Sequence, residues 1–321
     1  MSEPFLYLSS REAESLLSPG EAVELAELAL QRQAAGKVTW SSPRLLTVAP
    51  GQSSRRYVAK ACVLDERYAG FRAASVDREH PAAEGSGGAP RQLSLLCDAA
   101  SGRFLAVIDE EWQHAMRTGA GAAVAAKHCA PPGPQVVAMI GAGRVAGPTV
   151  QALREVFGGC EVRVSSRRAD SAQALAASIG RGVRAASLEE ALERATVVIT
   201  ATTSKEPLIA AGQLAPGAFV YAMGDGQELA TDVYRSADVL MADDWDQCQT
   251  RTDIVRLLAE GVIDPERVIS LWEVVAKVRS ARSRDSDVVV MRSQGLVTQD
   301  VAIAAHVYEA AVRRGSGVRL G

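Results

Sequence analysis

The chain has 321 residues, of which 47% are hydrophobic and 23% are charged. This composition is that of a globular protein and excludes a disordered or collagen-like chain. Its 35 Lys and Arg residues against 38 Asp and Glu residues give a net charge of −3 without a basic block, so we expect no nucleic-acid partner.

The chain is expected to be cytoplasmic and free of membrane segments. No run approaches the roughly 18 apolar residues of a membrane span. Glu3 stands where a secretory signal would carry positive charge. The five cysteines form no C-x-x-C pair and leave one over, which favours reduced, buried thiols over disulfides or a zinc site.

The first part of the chain predicts a helix followed by a mixed or antiparallel sheet. Ser18 and Pro19 form the cap and first turn of a helix within Ser10–Lys37. Short β-type runs separated by turn residues follow at Arg44–Val48, Tyr57–Val63, Phe71–Val76, Gln92–Cys97 and Phe104–Ile108. The Gly-rich stretch Glu84–Pro90 is a mobile loop that either borders a binding site or, slightly favoured, forms a solvated hairpin tip.

The second part predicts a parallel sheet covered by helices on both sides. An Ala-rich helix, Thr118–Cys129, ends at a Pro-Pro-Gly-Pro break, and strand and helix patterns then alternate. The predicted strands are Val136–Ile140, Glu161–Ser165, Thr196–Thr200, Phe219–Met223, Val239–Ala242 and Val288–Met291. The predicted helices are Val145–Val156, Asp170–Ile179, Leu188–Arg194 and a last one, Thr298–Arg313, that returns to the first domain.

A dinucleotide fingerprint follows the first of these strands. The run is Gly141, Ala142, Gly143, Arg144, Val145 and Ala146, a G-x-G-x-x-A that leaves a strand and opens a helix. Gly141 would permit the tight turn, Gly143 the approach of a pyrophosphate, and Ala146 close packing of helix on strand. An ordinary glycine turn is the alternative, but the flanking strand and helix favour the dinucleotide site.

The end of the second strand indicates which nucleotide is bound. NAD-preferring sites usually carry an acid there, whereas this chain has Ser165, Ser166, Arg167 and Arg168. Hydroxyl and guanidinium groups can hold a 2′-phosphate, so NADP(H) is preferred and NAD(H) remains possible. In the alternative, both arginines are solvated and Asp170 meets the ribose, although Asp170 fits better as a helix cap.

Several segments together resemble the ornithine cyclodeaminase/mu-crystallin family. They are Met116–Lys127, Ile140–Gly143, Thr200–Ser204 with Pro207, Gly217–Phe219, and Ser293–Gly295 with Gln299 and Asp300. The stretch Ala242–Cys248 is most similar to the branch that oxidises N-(2-amino-2-carboxyethyl)glutamate to release 2,3-diaminopropionate.

The resemblance implies a two-domain α/β protein. Residues 116–297 would form a Rossmann NAD(P)-binding domain, and residues 1–115 with 298–321 a β-rich α+β domain for substrate binding and dimerisation. It also implies a homodimer, hydride transfer at the Cα of a small amino- or imino-acid substrate, and cofactor contacts from Thr200, Ala201, Thr202, Thr203, Met223 and Ser293.

Two arginines match the family residues that grip the substrate carboxylate, Arg44 and Arg117. A guanidinium fork pairs bidentately with a carboxylate and would hold Cα against the nicotinamide. For Arg117 the alternative is a helix residue paired with Glu110 or Glu111. For Arg44 a surface position on a strand is about equally compatible.

Asp225 matches the family's acid/base aspartate and would exchange a proton with the substrate nitrogen. It follows a predicted strand at the sheet edge where α/β proteins bind ligands. A Gly-Asp-Gly turn residue is the alternative. The family's longer Asp-x-Pro-Gly-x-x-Glu-Leu loop is shortened here to Asp225–Leu229.

The chain departs from the family at Arg72, which stands where many members carry a catalytic lysine. Arginine binds carboxylates but does not serve as a lysine-like base, which argues against ornithine cyclisation. Lys60 lies on the preceding predicted strand, where the family often has an apolar residue. If both side chains point inward, the pocket is unusually cationic and suits a substrate with two or three carboxylates; if Lys60 points outward, it is a surface lysine.

No metal site is expected. Asp243, Asp244 and Asp246 are interpreted as a solvated loop or a cap, and no calcium-loop pattern follows them. The sequence thus predicts an NAD(P)(H)-dependent oxidoreductase acting on a C–N bond, with Asp225, Arg72 and Lys60 at the reaction centre. Two other functions stay open, a cyclodeaminase-type lyase with bound NAD and a mu-crystallin-like protein that binds NADPH and a small ligand.

Overall fold

The computed structural model describes residues 4–49, 55–77, 92–224 and 226–321. Two compact units divide the chain: residues 1–117 with 296–321, and residues 118–295. These boundaries lie two residues from those expected from the sequence, 115 and 298. The predicted loop Glu84–Pro90 lies outside the described residues.

The first unit begins with a capped helix and continues as a sheet. The Ser18 hydroxyl accepts a hydrogen bond from the Glu21 amide, the Glu21 carboxylate accepts one from the Ser18 amide, and Pro19 occupies the first turn, as predicted. The elements are β1 (Phe5–Leu8), α1 (Ser10–Ser15), α2 (Pro19–Ala34), β2 (Val38–Trp40), β3 (Leu46–Val48), β4 (Arg55–Leu64), β5 (Tyr68–Asp77), β6 (Gln92–Asp98), β7 (Phe104–Asp109) and α3 (Glu111–Cys129), whose second half belongs to the other unit.

The second unit alternates strands and helices, as its apolar runs predict. Its elements are β8 (Val136–Ile140), α4 (Ala146–Phe157), β9 (Glu161–Ser165), α5 (Ala169–Ile179), β10 (Val183–Ala185), α6 (Leu188–Leu192), β11 (Val197–Thr200), β12 (Phe219–Ala222), α7 (Thr231–Ser236), β13 (Val239–Ala242), α8 (Trp245–Cys248), α9 (Thr252–Ala259), β14 (Ile269–Ser270), α10 (Leu271–Val275) and β15 (Val289–Arg292). The chain then returns to the first unit as α11 (Val297–Arg314) and β16 (Val318–Leu320).

The sheet of the first unit is mixed, as predicted. Its order is β16-β1-β7-β6-β5-β4-β2, with β3 also paired to β4, and β1 runs parallel to β7 among otherwise antiparallel pairs. Helix α11 packs on this sheet at Gly70, where an added Cβ would lie 2.2 Å from Val301 Cγ2. A side chain at position 70 would not fit, so the glycine permits the helix to approach.

The opposite face of this sheet is apolar and open. Leu46, Val48, Tyr57 and Phe71 are large apolar residues exposed on β3, β4 and β5, with relative exposures of 51%, 54%, 50% and 48%. An exposed apolar area of this kind marks an interaction surface more often than a solvated one.

The sheet of the second unit is parallel throughout, in the order β10-β9-β8-β11-β12-β15-β13-β14. The chain leaves β8 first to one side, through β9 and β10, and then to the other side, through β11 and β12. This reversal creates a topological switch point outside the carboxyl ends of β8 and β11, where doubly wound sheets bind ligands.

Most predicted elements agree with the structure to within a few residues. Helix α3 begins at Glu111 rather than Thr118, and Arg44 precedes β3 instead of opening it. Asp170 lies in the first turn of α5, whose N-cap is Arg168, so the expectation that Asp170 caps this helix is wrong. The negative charge of Asp170 is still favourable at the N-terminal end of the helix dipole.

Candidate functional site

The glycine loop after β8 has the geometry of a dinucleotide turn. Gly141 has φ of 116°, a conformation that side-chain-bearing residues rarely adopt, and an added Cβ would lie 2.4 Å from the Ala201 carbonyl oxygen. Its amide donates to the Ser165 carbonyl at 2.8 Å. Gly141 therefore brings the carboxyl ends of β8, β9 and β11 together at the switch point.

The next part of the loop leaves room for a phosphate group. No heavy atom lies within 4 Å of the position a Cβ would take on Gly143. Ala146 is fully buried at the start of α4, as close helix packing requires, and the helix has no side-chain cap hydrogen bond. Pro148 has no N–H, and the amides of Ala146 and Thr149 donate to the carbonyls of Gly143 and Val145 at 2.9 and 3.0 Å. The open space at Gly143 fits the pyrophosphate of a dinucleotide. Ala142, Arg144 and Val145 complete the turn.

The end of β9 presents hydroxyl and guanidinium groups. Ser165 is buried, Ser166 is half-buried, and Arg167 and Arg168 are exposed. No acid occupies the last position of this strand.

A buried carboxylate organises the loops after β11 and β12. Glu228 accepts hydrogen bonds from the Thr200 hydroxyl at 2.7 Å, the Thr202 amide at 2.7 Å and the Gly224 amide at 2.8 Å. Sequence reasoning gave Glu228 no role, although it ends the shortened loop that begins at Asp225. The Thr200 hydroxyl points to this carboxylate, while Ala201, Thr203 and Met223 surround the same sheet edge.

The turn after β15 has a similar anchor. Asp243 accepts from the Ser293 hydroxyl at 2.7 Å and from the amides of Gln294 and Gly295 at 2.9 and 2.7 Å. Tyr221 donates its hydroxyl hydrogen to Ser293 at 2.8 Å. The hydroxyl of Ser293 is therefore engaged within the protein, and so is its amide, which donates to the Ala222 carbonyl at 3.0 Å.

Asp243 and Asp244, which precede Trp245, do not form the solvated loop that was one of the two interpretations of the sequence. Asp243 and Asp244 are buried, and Asp244 caps α8 by accepting from the Gln247 amide at 3.3 Å. The cap interpretation is confirmed for Asp244, and the solvated-loop interpretation is wrong for both residues. Across the part of the chain that the structure describes, His, Cys, Asp and Glu do not gather into a group of three that could hold a metal ion.

The first unit buries two cations side by side on the inner face of its sheet. Lys60 on β4 is directly opposite Arg72 on β5 in the antiparallel register. Both are nearly inaccessible, with relative exposures of 5% and 7%. The sequence left open whether Lys60 points inward or to solvent, and the structure places it inward.

Arg72 is held by a polar network that sequence reasoning missed. Its Nε lies 2.8 Å from a carboxylate oxygen of Glu110, and its Nη2 donates to Gln92 at 2.9 Å. Ser94 donates its hydroxyl hydrogen to Glu110, which is fully buried. Burial raises the pKa of the Glu110 carboxyl, and the Arg72 charge opposes that shift.

Arg117 pairs with an acid other than the ones considered from the sequence. Its Nε lies 2.6 Å from Asp300 Oδ1. Asp300 is also 3.9 Å from Arg72 Nε, which joins both arginines through one carboxylate. The signal that could have predicted this pair is an acid in the first turn of α11, directly before the apolar run Val301–Ala305. Nearby, burial raises the pKa of the Cys62 thiol to about 12.

Arg44 lies in the loop between β2 and β3. Its guanidinium carbon lies 4.4 Å from the centre of the Trp40 ring, a cation–π contact that keeps the side chain ordered on one aromatic face. Asp225 lies outside the described residues, between Gly224 and Gly226 in the sequence after β12.

Within the described ranges, no helix combines the length and apolarity needed to cross a membrane.

Comparison with known proteins establishes the family. The model of the ornithine cyclodeaminase/mu-crystallin family matches residues 5–315. The chain belongs to this family. The fold supports this membership. The solved archaeal alanine dehydrogenase dimer with bound NAD matches this chain with a TM-score of 0.89 at 30% identity, and the match covers 99% of each chain.

The names of individual relatives describe related activities. The alanine dehydrogenase of Archaeoglobus fulgidus is 30% identical over 98% of both chains. The structure of the Thermococcus litoralis Δ1-pyrroline-2-carboxylate reductase with NADH and L-proline has a TM-score of 0.89 at 26% identity, with 98% of this chain and 100% of that chain covered. The N-((2S)-2-amino-2-carboxyethyl)-L-glutamate dehydrogenase of Staphylococcus aureus is 26% identical over 70% of each chain.

These findings confirm the predicted family and the predicted fold class. A nicotinamide-dependent oxidoreductase acting on a C–N bond, as expected from the sequence, agrees with the activities in these names. The narrower branch that releases 2,3-diaminopropionate is represented among the relatives at lower identity than the alanine dehydrogenase.

Proposed function

We propose that this chain is an NAD(P)(H)-dependent oxidoreductase that transfers a hydride to or from the Cα of an amino acid, imino acid or N-carboxyalkyl amino acid. The observation that carries the proposal is the Gly141 turn at the switch point, in a family member whose relatives are named for redox reactions at C–N bonds. When bound, the nicotinamide supplies or accepts the hydride. The glycine turn at the start of α4 would hold its pyrophosphate.

NADP(H) is the preferred nucleotide in this proposal. Ser166 and Arg167 follow β9, where an NAD site would carry an acid, and a guanidinium pairs well with a 2′-phosphate. Arg168 lies beside them and would add to the positive potential. NAD(H) remains usable, since the contacts to the pyrophosphate do not depend on these residues.

The substrate of this proposal carries more than one carboxylate. Arg72 and Arg117 share Asp300 as an ion-pair partner, and both side chains are buried. A guanidinium in such a place is a strong ligand for a carboxylate, and Arg44 would be a third. Lys60 stands directly opposite Arg72, so a second acidic group on the substrate would meet a second cation.

The proton in the reaction would come from Asp225. A carboxylate can take a proton from the substrate nitrogen during oxidation and return it during reduction. Arg72 cannot replace it, because a guanidinium does not deprotonate usefully in proteins. The same argument disfavours a cyclodeaminase that depends on a lysine base at this position.

The protein is proposed to be a homodimer through the open face of the first sheet. Leu46, Val48, Tyr57 and Phe71 expose a continuous apolar area on neighbouring strands. A second copy of the same face would bury these side chains, and the related archaeal alanine dehydrogenase was solved as a dimer.

The proposal is tested by following NADPH and NADH absorbance in separate assays. The purified protein would meet a panel of 2-oxo acids paired with ammonia, amines or amino acids, together with cyclic imino acids, and the reverse reaction would use N-carboxyalkyl amino acids. We expect net oxidation of the cofactor, fastest with NADPH and with substrates of two or three carboxylates. Ammonia release from ornithine or lysine with catalytic NAD and no net absorbance change would contradict the proposal and favour the lyase. Tight NADPH binding without turnover in any assay would favour the binding protein.

A further inference from the structure

Two arginines of the second unit converge on the backbone of one short segment. Arg292 donates from Nη1 to the Ala222 carbonyl at 2.9 Å and from Nη2 to the carbonyls of Gly224 and Gly226 at 2.8 and 3.2 Å. Arg251 donates from Nη2 to the Gly224 carbonyl at 2.7 Å. Three backbone carbonyls around the carboxyl end of β12 thus receive guanidinium hydrogen bonds.

The same segment is held from its amide side. The Gly224 amide donates to Glu228 at 2.8 Å, and that carboxylate also binds the Thr202 amide of the neighbouring loop. Hydrogen bonds to charged groups are roughly twice as strong as neutral ones, so this short segment is anchored on both sides.

Asp253 keeps the two guanidiniums in place. It lies 3.0 Å from Arg292 Nε and 3.5 Å from Arg251 Nε. Glu228 approaches Arg292 Nη1 at 3.8 Å. Two cations and two carboxylates therefore neutralise each other inside the unit.

Close packing adds a steric restraint. An added Cβ on Gly226 would lie 1.6 Å from the Ser204 carbonyl oxygen, and one on Gly224 would lie 2.4 Å from the Thr202 carbonyl oxygen. Glycine loses more conformational freedom on folding than any other residue, so holding Gly224 and Gly226 in one conformation requires compensating contacts. The arginine and glutamate hydrogen bonds provide these contacts.

We propose that Arg251 and Arg292 are positioning residues for the reaction, which fix the backbone on either side of Asp225. This proposal rests on the proposed function, in which Asp225 exchanges the proton. Arg292 is the last residue of β15, and Arg251 precedes α9, so two elements remote in sequence hold one short segment. Loss of these hydrogen bonds would release the backbone at Gly224 and Gly226 without touching the nucleotide loop at Gly141.

The test compares Arg251→Met and Arg251→Lys with Arg256→Met as the control. Arg256 lies on α9 and pairs with Glu260 and Thr231 away from the segment. Arg251 is the better target, because Arg292 still neutralises Asp253 when Arg251 is removed. Three quantities are measured for each variant: hydrogen–deuterium exchange of the peptide covering residues 222–228, the kcat, and the Kd for NADPH.

We expect Arg251→Met to exchange faster in this peptide alone and to lose on the order of tenfold in kcat, with the NADPH Kd changed less than about twofold. Arg251→Lys would lie between the parent and the Met variant, and Arg256→Met would match the parent. Unchanged exchange, or faster exchange with unchanged kcat, would overturn the proposal. Parallel losses of kcat, NADPH affinity and thermal stability would also overturn it, because they indicate a merely structural role.

Failure of the proposed function gives a different result. If the unmodified protein turned over no substrate, the oxidoreductase proposal would fail. The exchange experiment would still test whether the arginines restrain the backbone of this segment. Faster exchange in Arg251→Met would support that restraint, and unchanged exchange would overturn it.

Discussion

Lys60 and Arg72 lie directly opposite each other on β4 and β5, and both side chains are buried on the inner face of the same sheet. Burying two cations at neighbouring positions is costly unless acidic groups meet them. The protein supplies Glu110 and Asp300 to Arg72. A further carboxylate on the proposed substrate would meet the Lys60 charge, so we propose Lys60 as a determinant of substrate choice.

Lys60→Met is expected to change selectivity rather than abolish activity. Methionine keeps the length and apolar stem of the side chain but removes the charge, so kcat/KM for a substrate with two or three carboxylates falls by on the order of tenfold. The value for a monocarboxylate substrate stays within about twofold. Lys37→Met, on the solvated side of the same unit, is the control. Equal losses for both substrate classes would contradict the assignment.

Gly143→Ala is expected to weaken nucleotide binding without destabilising the fold. The position of the added methyl group is open in the protein, so the free energy of unfolding changes by less than about 1 kcal/mol. A bound pyrophosphate would meet that methyl group, and the NADPH Kd rises by about tenfold or more. Gly212→Ala, also in open space and outside the loop, serves as the control. Calorimetric titration with NADPH and thermal unfolding separate the two effects.

Arg167→Gln is expected to alter the nucleotide preference. Removing one guanidinium beside a 2′-phosphate weakens NADPH binding by about five- to tenfold and leaves NADH within about twofold. The preference for NADPH should also fall as salt rises, since Arg167 is exposed. Arg181→Gln, another exposed arginine of this unit, provides the comparison. Identical NADPH affinities in the two variants would argue that Asp170 or solvent, and not Arg167, meets the ribose.

Phe71→Lys is expected to convert the proposed dimer into a monomer. A charge in the centre of the open apolar face opposes its burial against a second copy. Light scattering after size-exclusion chromatography measures the mass directly. Val255→Lys, at an equally exposed apolar residue of α9, should keep the parent mass. A dimer that persists in Phe71→Lys would place the interface elsewhere.

The second unit could be predicted from the sequence to a large extent. Its strands are continuous apolar runs, because a parallel sheet is covered on both faces, and three of them were predicted with the observed bounds: Val136–Ile140, Glu161–Ser165 and Val239–Ala242. The Gly141 turn was recognisable because its spacing, strand and helix occur together. Short strands such as β1, β10 and β16 were missed, since three or four residues carry too little periodicity.

The candidate site was predictable as a set of residues but not as a set of contacts. Arg72, Lys60 and Arg117 could be named from the resemblance, whereas their partners could not. Glu110 and Asp300 are distant from Arg72 along the chain, and only the packing of α11 on β5 brings Asp300 near. Glu228 matches the Glu of the family's Asp-x-Pro-Gly-x-x-Glu-Leu loop, but that pattern does not show that the carboxylate binds the amides of two loops.

The central claim is hydride transfer at Cα, and an isotope measurement tests it most directly. The reaction would be run with NADPH deuterated on the transferred position of its nicotinamide ring, using the best substrate of the panel, and the product examined by mass spectrometry and NMR. The account predicts one deuterium on the product Cα for each NADPH oxidised. A product without deuterium, formed while the cofactor remains reduced, would contradict the account and show that the chain is not a net oxidoreductase.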